Sequence, residues 1–288
     1  MKRILKITIF SLILLAILAL GAHFVGTHNI PILEPKGMIG MKEKELIITC
    51  SLLMLIVVIP VLIIAVVFGW IYREGRENKH TPDWEHNNIA ECCWWSVPVV
   101  IIIILAIITW KTSHELNPFK PIQNGNPPLK IQAVALDWKW LFIYPEEKIA
   151  TINEIRFPIH RPLHFEITAD APMNSFWIPQ LGGQIYAMAA MRTTLYLVAN
   201  EIGVFEGRSS NISGKGFAGM IFKAESTTES GFEEWVKEVK QSGTKLDWAS
   251  YEKLVLPSEY NPAQYFQEVD AHLFDQIIMQ YMPKGKKR

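Results

Sequence analysis

The chain has 288 residues, a formal net charge of zero, and a composition in which half of the residues are hydrophobic. The balanced charge argues against nucleic-acid binding, which requires a basic surface. Its three cysteines, Cys50, Cys92 and Cys93, lie in or beside apolar runs and do not indicate a disulfide framework. Cysteine chemistry is therefore excluded from everything that follows Cys93. The apolar residues concentrate in three runs near the N-terminus, and the remainder is typical of a soluble domain.

The N-terminal segment, residues 1–25, starts with basic residues and continues as an apolar run to about Leu20. A basic start followed by a short apolar stretch is typical of a signal peptide, and Ala19-Leu20-Gly21 offers small residues at the usual cleavage spacing. An uncleaved membrane helix that continues towards Val25 fits the same residues. Both alternatives remain open, and we expect residues 26–45 to form an extracytoplasmic lead-in.

Residues 46–111 are predicted to form a hairpin of two transmembrane helices. Two apolar runs, from Leu46 to about Trp70 and from Cys92 to Trp110, are each close to the roughly 20 residues that span a bilayer. Tryptophans mark the ends of the runs, as is typical of a lipid–water boundary. The loop between the runs is short, so the segments before and after the hairpin share one side. The signal-like start favours a cytoplasmic loop and an extracytoplasmic soluble domain.

Residues 112–226 are predicted to form an all-β sandwich. Leu163–Ile167 alternates apolar and polar residues as a half-buried strand does, and Thr194–Ala199 is similar. Prolines and glycines interrupt the segment at short intervals. Several short strands within roughly 100 residues favour a sandwich.

Residues 227–288 are predicted to form a helical, aromatic-rich extension. Ser230 and Glu233 have the spacing of a capping box, a second helix is expected from Asp247, and Asn261-Pro262 predicts the start of another. The last helix carries an apolar stripe, namely Leu273, Phe274, Ile277, Ile278 and Tyr281. These helices either pack on the sandwich or form a docking surface for a neighbouring subunit.

A membrane hairpin followed by a β-sandwich resembles the layout of subunit II of the haem–copper oxidases. Four motifs carry the resemblance. His86–Pro98 resembles the start of that family's second membrane helix, and Asp137–Trp140 resembles its tryptophan-rich stretch. Asn174–Pro179 resembles the strand with its first copper histidine, and Ser209–Met220 resembles its copper loop. The aromatic tail resembles the extension of the quinol-oxidising branch. The resemblance implies that the sandwich has the cupredoxin-like fold.

The residues at the copper positions distinguish the branches of that family. In the cytochrome c branch, cysteines, histidines, a methionine and an acidic residue hold a binuclear copper centre. The resemblance places the matching positions of this chain at Asn174, Ser209, Asn211, Ser213, Phe217 and Met220. Hydroxyls and a phenyl ring do not replace thiolates and imidazoles as ligands of copper. We therefore expect no metal or cofactor in this chain, with Phe217 filling the vacated volume and Met220 in the core.

The resemblance thus implies subunit II of a proton-pumping ubiquinol:oxygen oxidoreductase of the cytochrome bo type, in the cytoplasmic (inner) membrane of a bacterium. It implies that haems and copper reside in subunit I, that smaller membrane subunits complete the complex, and that ubiquinol rather than cytochrome c donates electrons. This chain would have a structural and assembly role. The alternatives are a copper-binding electron carrier with unusual ligands and a non-catalytic membrane-anchored scaffold.

Glu91 is the candidate functional residue of this chain. The resemblance matches it to a glutamate at the entrance of a proton pathway into the catalytic subunit, and an ionisable group near the end of a membrane helix indicates function. The alternative is an interfacial carboxylate that faces water or is stabilised by the helix dipole. Trp138 and Trp140 match the region where the cytochrome c branch uses a tryptophan for electron transfer. Because no copper is expected behind them, we interpret both as structural.

Overall fold

The computed structural model describes residues 12, 15–17, 19–21, 23–27, 30–73, 87–242 and 244–282. It divides into two compact units, Met1–Met41 together with Pro121–Arg288, and Lys42–Lys120. Much of the predicted signal peptide or N-terminal membrane segment lies outside the described residues, and those described between 12 and 27 are helical. Most of the predicted cytoplasmic loop, residues 74–86, also lies outside them.

Two long apolar helices form the membrane part, α1 (Met38–Ile71) and α2 (Asn88–Glu115). Within the described residues, these are the two helices that are long and apolar enough to cross a membrane. Most of their side chains are exposed in the chain on its own, as expected of a surface that faces lipid. Lys42 Nζ lies 3.3 Å from Glu115 Oε2, which joins the start of one helix to the end of the other. The prediction of two apolar helices is confirmed.

The β-sandwich contains twelve strands in the described residues, in a sheet of seven and a sheet of five. The seven-stranded sheet has the order β11-β12-β3-β2-β1-β5-β8, and the other has the order β4-β10-β9-β6-β7. The strands are β1 Leu129–Leu136, β2 Lys139–Tyr144, β3 Ile149–Ile152, β4 Glu154–Pro158, β5 Leu163–Ala169, β6 Asn174–Trp177, β7 Ile185–Ala187, β8 Thr193–Leu197, β9 Gly203–Ser209, β10 Ile221–Thr227, β11 Thr244–Leu246 and β12 Gln264–Val269. The sandwich prediction is confirmed.

An aromatic core fills the space between the two sheets. Trp140 and Phe142 of β2 contact Phe176 and Phe222 of the opposite sheet, with ring centroids 5.0–6.2 Å apart. Such edge-to-face and tilted pairs add to the stabilisation that comes from burial alone. The contacts set the spacing of strand β6 from strand β2, and β6 begins at one of the predicted site positions.

The C-terminal extension contributes both helices and strands. Its helices are α3 (Glu229–Ser242), α4 (Trp248–Leu254) and α5 (Leu273–Met279). The helix predicted to begin at Asn261-Pro262 is wrong, because the next residues form β12, which pairs with β3 through Tyr265 opposite Thr151. An otherwise unpaired sheet edge accepts the segment, and pairing satisfies its backbone groups.

The start of α3 also differs from the prediction. The hydroxyl of Thr228 accepts a hydrogen bond from the backbone N–H of Gly231 at 3.1 Å, so Thr228 caps this helix. The capping box predicted from Ser230 and Glu233 is therefore wrong by two residues. Ser230 lies within the first turn instead, with its hydroxyl 3.1 Å from that of Thr228.

A second core lies on the outer face of the seven-stranded sheet. Leu136 and Leu141 of the sheet pack under Tyr251 of α4 and under Leu273 and Ile277 of α5, and all five side chains are buried. The first four residues of the apolar stripe predicted for the last helix therefore pack on the sandwich, whereas its fifth, Tyr281, lies beyond the end of the helix and is exposed. A buried carboxylate joins the same layers, because Asp170 accepts hydrogen bonds from the hydroxyls of Tyr251 and Tyr281. Burial, and second to it the hydrogen bond to Asp170, raises the pKa of Tyr281 to about 12, and the same two causes raise the pKa of Tyr251. Both hydroxyls therefore keep their protons at neutral pH and act as donors.

Tyr251→Phe should destabilise the soluble unit, because it removes a hydrogen bond from a buried carboxylate that has few other partners. The expected loss in the free energy of unfolding is roughly 1.5–3 kcal/mol, as for hydrogen bonds to charged groups. Denaturant unfolding of the full chain in detergent measures it. Tyr186→Phe, at an exposed tyrosine, is the matched control and should change stability by less than about 0.5 kcal/mol. Equal losses in the two variants would contradict a role for the Asp170 carboxylate in holding the extension.

Candidate functional site

Two strands bring the first of the copper-matched positions together. β6 pairs with β9 so that Phe176 lies opposite Ser209, at the end where β9 enters the loop. Asn174 and Ser209 are both buried, and the Ser209 hydroxyl donates to Asn174 Oδ1 at 2.8 Å. Asn174 Nδ2 in turn donates to the carbonyl of Pro172 at 2.7 Å. The polar atoms at these two positions are therefore occupied by each other and by backbone.

The next part of the loop is joined to β6 by further hydrogen bonds. Asn211 Oδ1 accepts from the hydroxyl of Ser175 at 2.7 Å, and the backbone N–H of Ser210 donates to the carbonyl of Ser175 at 3.1 Å. Ser175 is fully buried, so its hydroxyl requires such a partner. The sequence prediction quoted Ser175 only as part of the motif Asn174–Pro179 and gave it no role. Its position directly after Asn174 on a strand that faces the loop is the signal that could have identified it.

The glycines of the loop lie against Trp138. A β-carbon at Gly216 would be 2.5 Å from the Trp138 ring, and Gly214 has φ +122°, a conformation that favours glycine. The Trp138 indole N–H donates to the carbonyl of Ser213 at 3.4 Å. Trp138 thus packs against the loop from a turn between β1 and β2, where its own φ is +63°. The loop glycines are required for close contact with an aromatic ring as well as for turning.

The remaining copper-matched positions close the loop. A 3-10 turn, Phe217–Gly219, leads into Met220, which is fully buried in the core between the sheets. The expectation that Met220 is a core residue is confirmed. Phe217 is half-buried at the start of the turn, so its share in filling the loop stays a prediction. Trp140 is also a core residue, with ring contacts to Phe176 and Phe222.

The donor set of this loop does not fit a binuclear copper centre. It offers hydroxyls, amides and one thioether, whereas soft copper is retained by thiolates and imidazoles. The Asn174, Ser175 and Ser209 side chains already hydrogen-bond within the protein. Across the described part of the chain, no three histidine, cysteine, aspartate or glutamate side chains lie close enough to hold a metal ion. The arrangement is that of a hydrogen-bonded turn.

Glu91 lies in the other unit, in the first turn of α2. Asn87 caps this helix, since its Oδ1 accepts from the backbone N–H groups of Ile89 and Ala90 at 3.1 and 3.0 Å. Glu91 is half-buried and donates its backbone N–H to the carbonyl of Asn87 at 2.9 Å. A carboxylate at this place is favoured by the positive end of the helix dipole. The sequence prediction quoted Asn87 as part of a motif without its capping role, which the Asn-Asn pair before an apolar run indicates.

The extension also reaches the copper-matched loop, which the sequence prediction did not foresee. A β-carbon at Gly219 would be 2.7 Å from the ring of Tyr260, so that ring lies directly on the turn. The ammonium of the buried Lys139 donates to the carbonyl of Leu256 at 2.8 Å and to the hydroxyl of Ser258. Burial lowers the pKa of Lys139. A lysine within a buried strand requires polar partners, so its sequence position was a signal for such a contact.

Gly216→Ala should force Trp138 off the loop, because the added methyl group overlaps the indole ring. The expected loss in the free energy of unfolding is about 1–3 kcal/mol, as for other overpacked sites. Gly203→Ala is the matched control, since the nearest atom to its new methyl group would be at an ordinary 3.6 Å. Denaturant unfolding of the full chain in detergent compares the two variants. If Gly203→Ala were as destabilising as Gly216→Ala, the packing of Trp138 on the loop would not explain the glycine.

Comparisons with known proteins match most of the chain. The family profile COX Aromatic Rich Motif matches residues 240–285, within the extension. Cytochrome bo(3) ubiquinol oxidase subunit 2 of Pseudomonas aeruginosa is 51% identical, over 92% of this chain and 80% of the relative. Ubiquinol oxidase subunit 2 of Acetobacter aceti is 46% identical, over 88% and 83%. Quinol oxidase subunit 2 of Bacillus subtilis is 34% identical, over 96% and 84%.

Among solved structures, the periplasmic domain of subunit II of cytochrome oxidase from Bradyrhizobium japonicum is similar to part of the chain. The match covers 42% of this chain and 98% of that domain, with 21% identity and a TM-score of 0.40. The sequence relatives, and not this weaker likeness, carry the assignment.

Proposed function

Because the chain belongs to the family of quinol oxidase subunit 2, we propose that it is subunit II of a membrane-bound, proton-pumping ubiquinol:oxygen oxidoreductase of the cytochrome bo type. The main support for this proposal is sequence identity to ubiquinol oxidase subunits, which reaches 51% over 92% of the chain in one of them. Within this complex the chain has a structural and assembly role. The redox chemistry belongs to subunit I, which holds the haems and copper.

The copper-matched loop supports a quinol rather than a cytochrome c as the electron donor. Electron transfer from a soluble cytochrome through this subunit requires a redox centre within it, and the hydroxyl and amide groups of Asn174, Ser209 and Asn211 provide none. Electrons from a membrane-soluble quinol reach the partner subunit without passing through this chain. The alternative of a copper-carrying module has no support from these side chains.

The location that fits this role is the bacterial cytoplasmic (inner) membrane. α1 and α2 provide the apolar length for two membrane spans, and the sandwich would lie on the outer side with its extension. The membrane surfaces of the two helices would contact subunit I and the smaller membrane subunits. Their almost continuous exposed apolar side chains support such a contact with lipid or with other helices.

Oxygen consumption tests the assignment directly. The complex purified through this chain should consume oxygen with a ubiquinol analogue as the donor and should show no turnover with reduced cytochrome c. Turnover with cytochrome c alone would contradict the proposal and would indicate another route for electrons. Absence of turnover with both donors, in a complex that retains its haem spectrum, would favour a scaffold without a catalytic role.

Glu91 is proposed to lie at the entrance of a proton pathway into subunit I. Glu91→Ala should then lower both turnover and proton uptake about tenfold, equivalent to ~1.4 kcal/mol in the barrier of the limiting step, with the haem spectrum unchanged. Stopped-flow proton uptake with a pH indicator and oxygen consumption measure the two rates.

Glu115→Ala is the matched control, because it removes a carboxylate from the other end of the same helix, where it is exposed and pairs with Lys42. This variant should retain nearly all of the activity. Unchanged proton uptake and turnover in Glu91→Ala would show that Glu91 is only an interfacial carboxylate near the positive end of the helix dipole.

A further inference from the structure

The extension crosses the copper-matched loop through one short segment, residues 256–261, which we name the strap. It follows α4 and precedes β12, so it connects a helix of the second core to a strand of the seven-stranded sheet. The loop beneath it is residues 209–220, between β9 and β10. The strap therefore meets two turns of the sandwich at one place, namely loop 209–220 and the Asp137-Trp138 turn.

The sandwich holds the strap by its polar atoms. Lys139, which follows Trp138, donates to the Leu256 carbonyl at 2.8 Å and to Ser258 Oγ at 2.5 Å. Asn153 Nδ2 donates to the carbonyl of Asn261 at 3.0 Å, at the other end of the strap. Lys139 and Asn153 are buried, and hydrogen bonds of buried groups are costly to break. One end of the strap is thus anchored to β2, and the other end to the residue that joins β3 to β4.

The strap in turn contacts the loop at two points. Glu259 Oε1 pairs with Lys215 Nζ at 3.1 Å, and this exposed ion pair contributes little by itself. Tyr260 lies on Gly219, where no β-carbon would fit beneath its ring. Tyr260 has φ +52°, a left-handed conformation that is unusual for an aromatic residue. Strained backbone of this kind persists only where the surrounding contacts determine it.

Trp138 contacts the loop at two further glycines. Its ring covers Gly214 and Gly216, while the Tyr260 ring covers Gly219. Three glycines of one loop therefore lie under two aromatic rings, one from the sandwich and one from the extension. Since Trp138 and Lys139 are consecutive, the same backbone turn that presses on the loop also anchors the strap.

We propose that the strap is an intramolecular clamp that holds loop 209–220 closed through protein contacts, and that Lys139 is its anchor. A metal that bridges two segments restricts them by linking their ligands. Here the sandwich, the loop and the strap are linked by hydrogen bonds and aromatic contacts instead. The strap also covers the turn at Gly219, so this part of the loop is not open to a protein that approaches it. The clamp is a property of this chain and does not depend on the substrate of the complex.

Hydrogen–deuterium exchange of the full chain in detergent tests the clamp. Lys139→Met keeps the length of the side chain but removes the donor, so the amides of loop 209–220 should exchange about tenfold faster if the strap opens locally. The amides of β1 and β5 should keep their wild-type protection. Lys245→Met is the matched control, since Lys245 pairs with Glu268 at 2.8 Å in an exposed part of the extension away from the loop. It should leave the loop unchanged.

Faster exchange confined to strap residues 256–261, with the loop unchanged, would overturn the proposal. The strap could then open without any effect on the stability of the loop. If Lys139→Met unfolds the soluble unit, Tyr260→Ala replaces it as the test. Tyr260 is 71% exposed, so its ring can be removed without opening the core. Faster loop exchange in Tyr260→Ala but not in the control Tyr196→Ala, at a tyrosine of β8 whose ring stacks on His164, would support the clamp, and equal exchange in the two variants would exclude it.

Discussion

The rest of the soluble unit depends on one constraint, the burial of strand β2 on both of its faces. Every residue of Lys139–Tyr144 is buried, so the strand requires a cover on each side. The five-stranded sheet covers one face with Phe176 and Phe222, and the helices of the extension cover the other with Tyr251 and Leu273. The extension is therefore part of the fold, since its removal would expose a face of the central sheet to water at roughly 25 cal/mol per Å² of apolar surface.

Much of this architecture could be predicted from local patterns, and the errors occur where a distant partner decides. The stripe Leu273–Tyr281 and the alternation in Leu163–Ile167 depend on periodicity, which a sequence displays directly. Gln264–Val269 was misjudged because Asn261-Pro262 is a helix-start signal, whereas the free edge of β3 determines the outcome. The true cap of α3, Thr228, is one of several hydroxyl residues in a row, and only its hydrogen bond to Gly231 identifies it.

For the copper-matched loop, the residue types reveal the chemistry, but they do not reveal the contacts between distant segments. Serine, asparagine and phenylalanine at the copper-matched positions predict the loss of the metal ligands without any coordinates. Of the groups that now contact the loop, Ser175 was within reach of prediction because it follows Asn174 directly on the same strand. The rings of Trp138 and Tyr260 were not, because they come from two separate segments of the chain. Glu91 differs from both cases, since its position near the start of a helix is visible in the sequence but its function depends on a neighbouring subunit.

The hydrogen bond between Ser209 and Asn174 has a consequence for any attempt to build a copper site into the loop. Replacing Asn174 alone by histidine would remove the amide acceptor of a buried hydroxyl, which is destabilising on its own, while a lone imidazole would gain no metal. A redesign that introduces the ligands one at a time would therefore pass through less stable proteins. The ligands would have to be introduced together, so that metal binding offsets the hydrogen bonds that are lost.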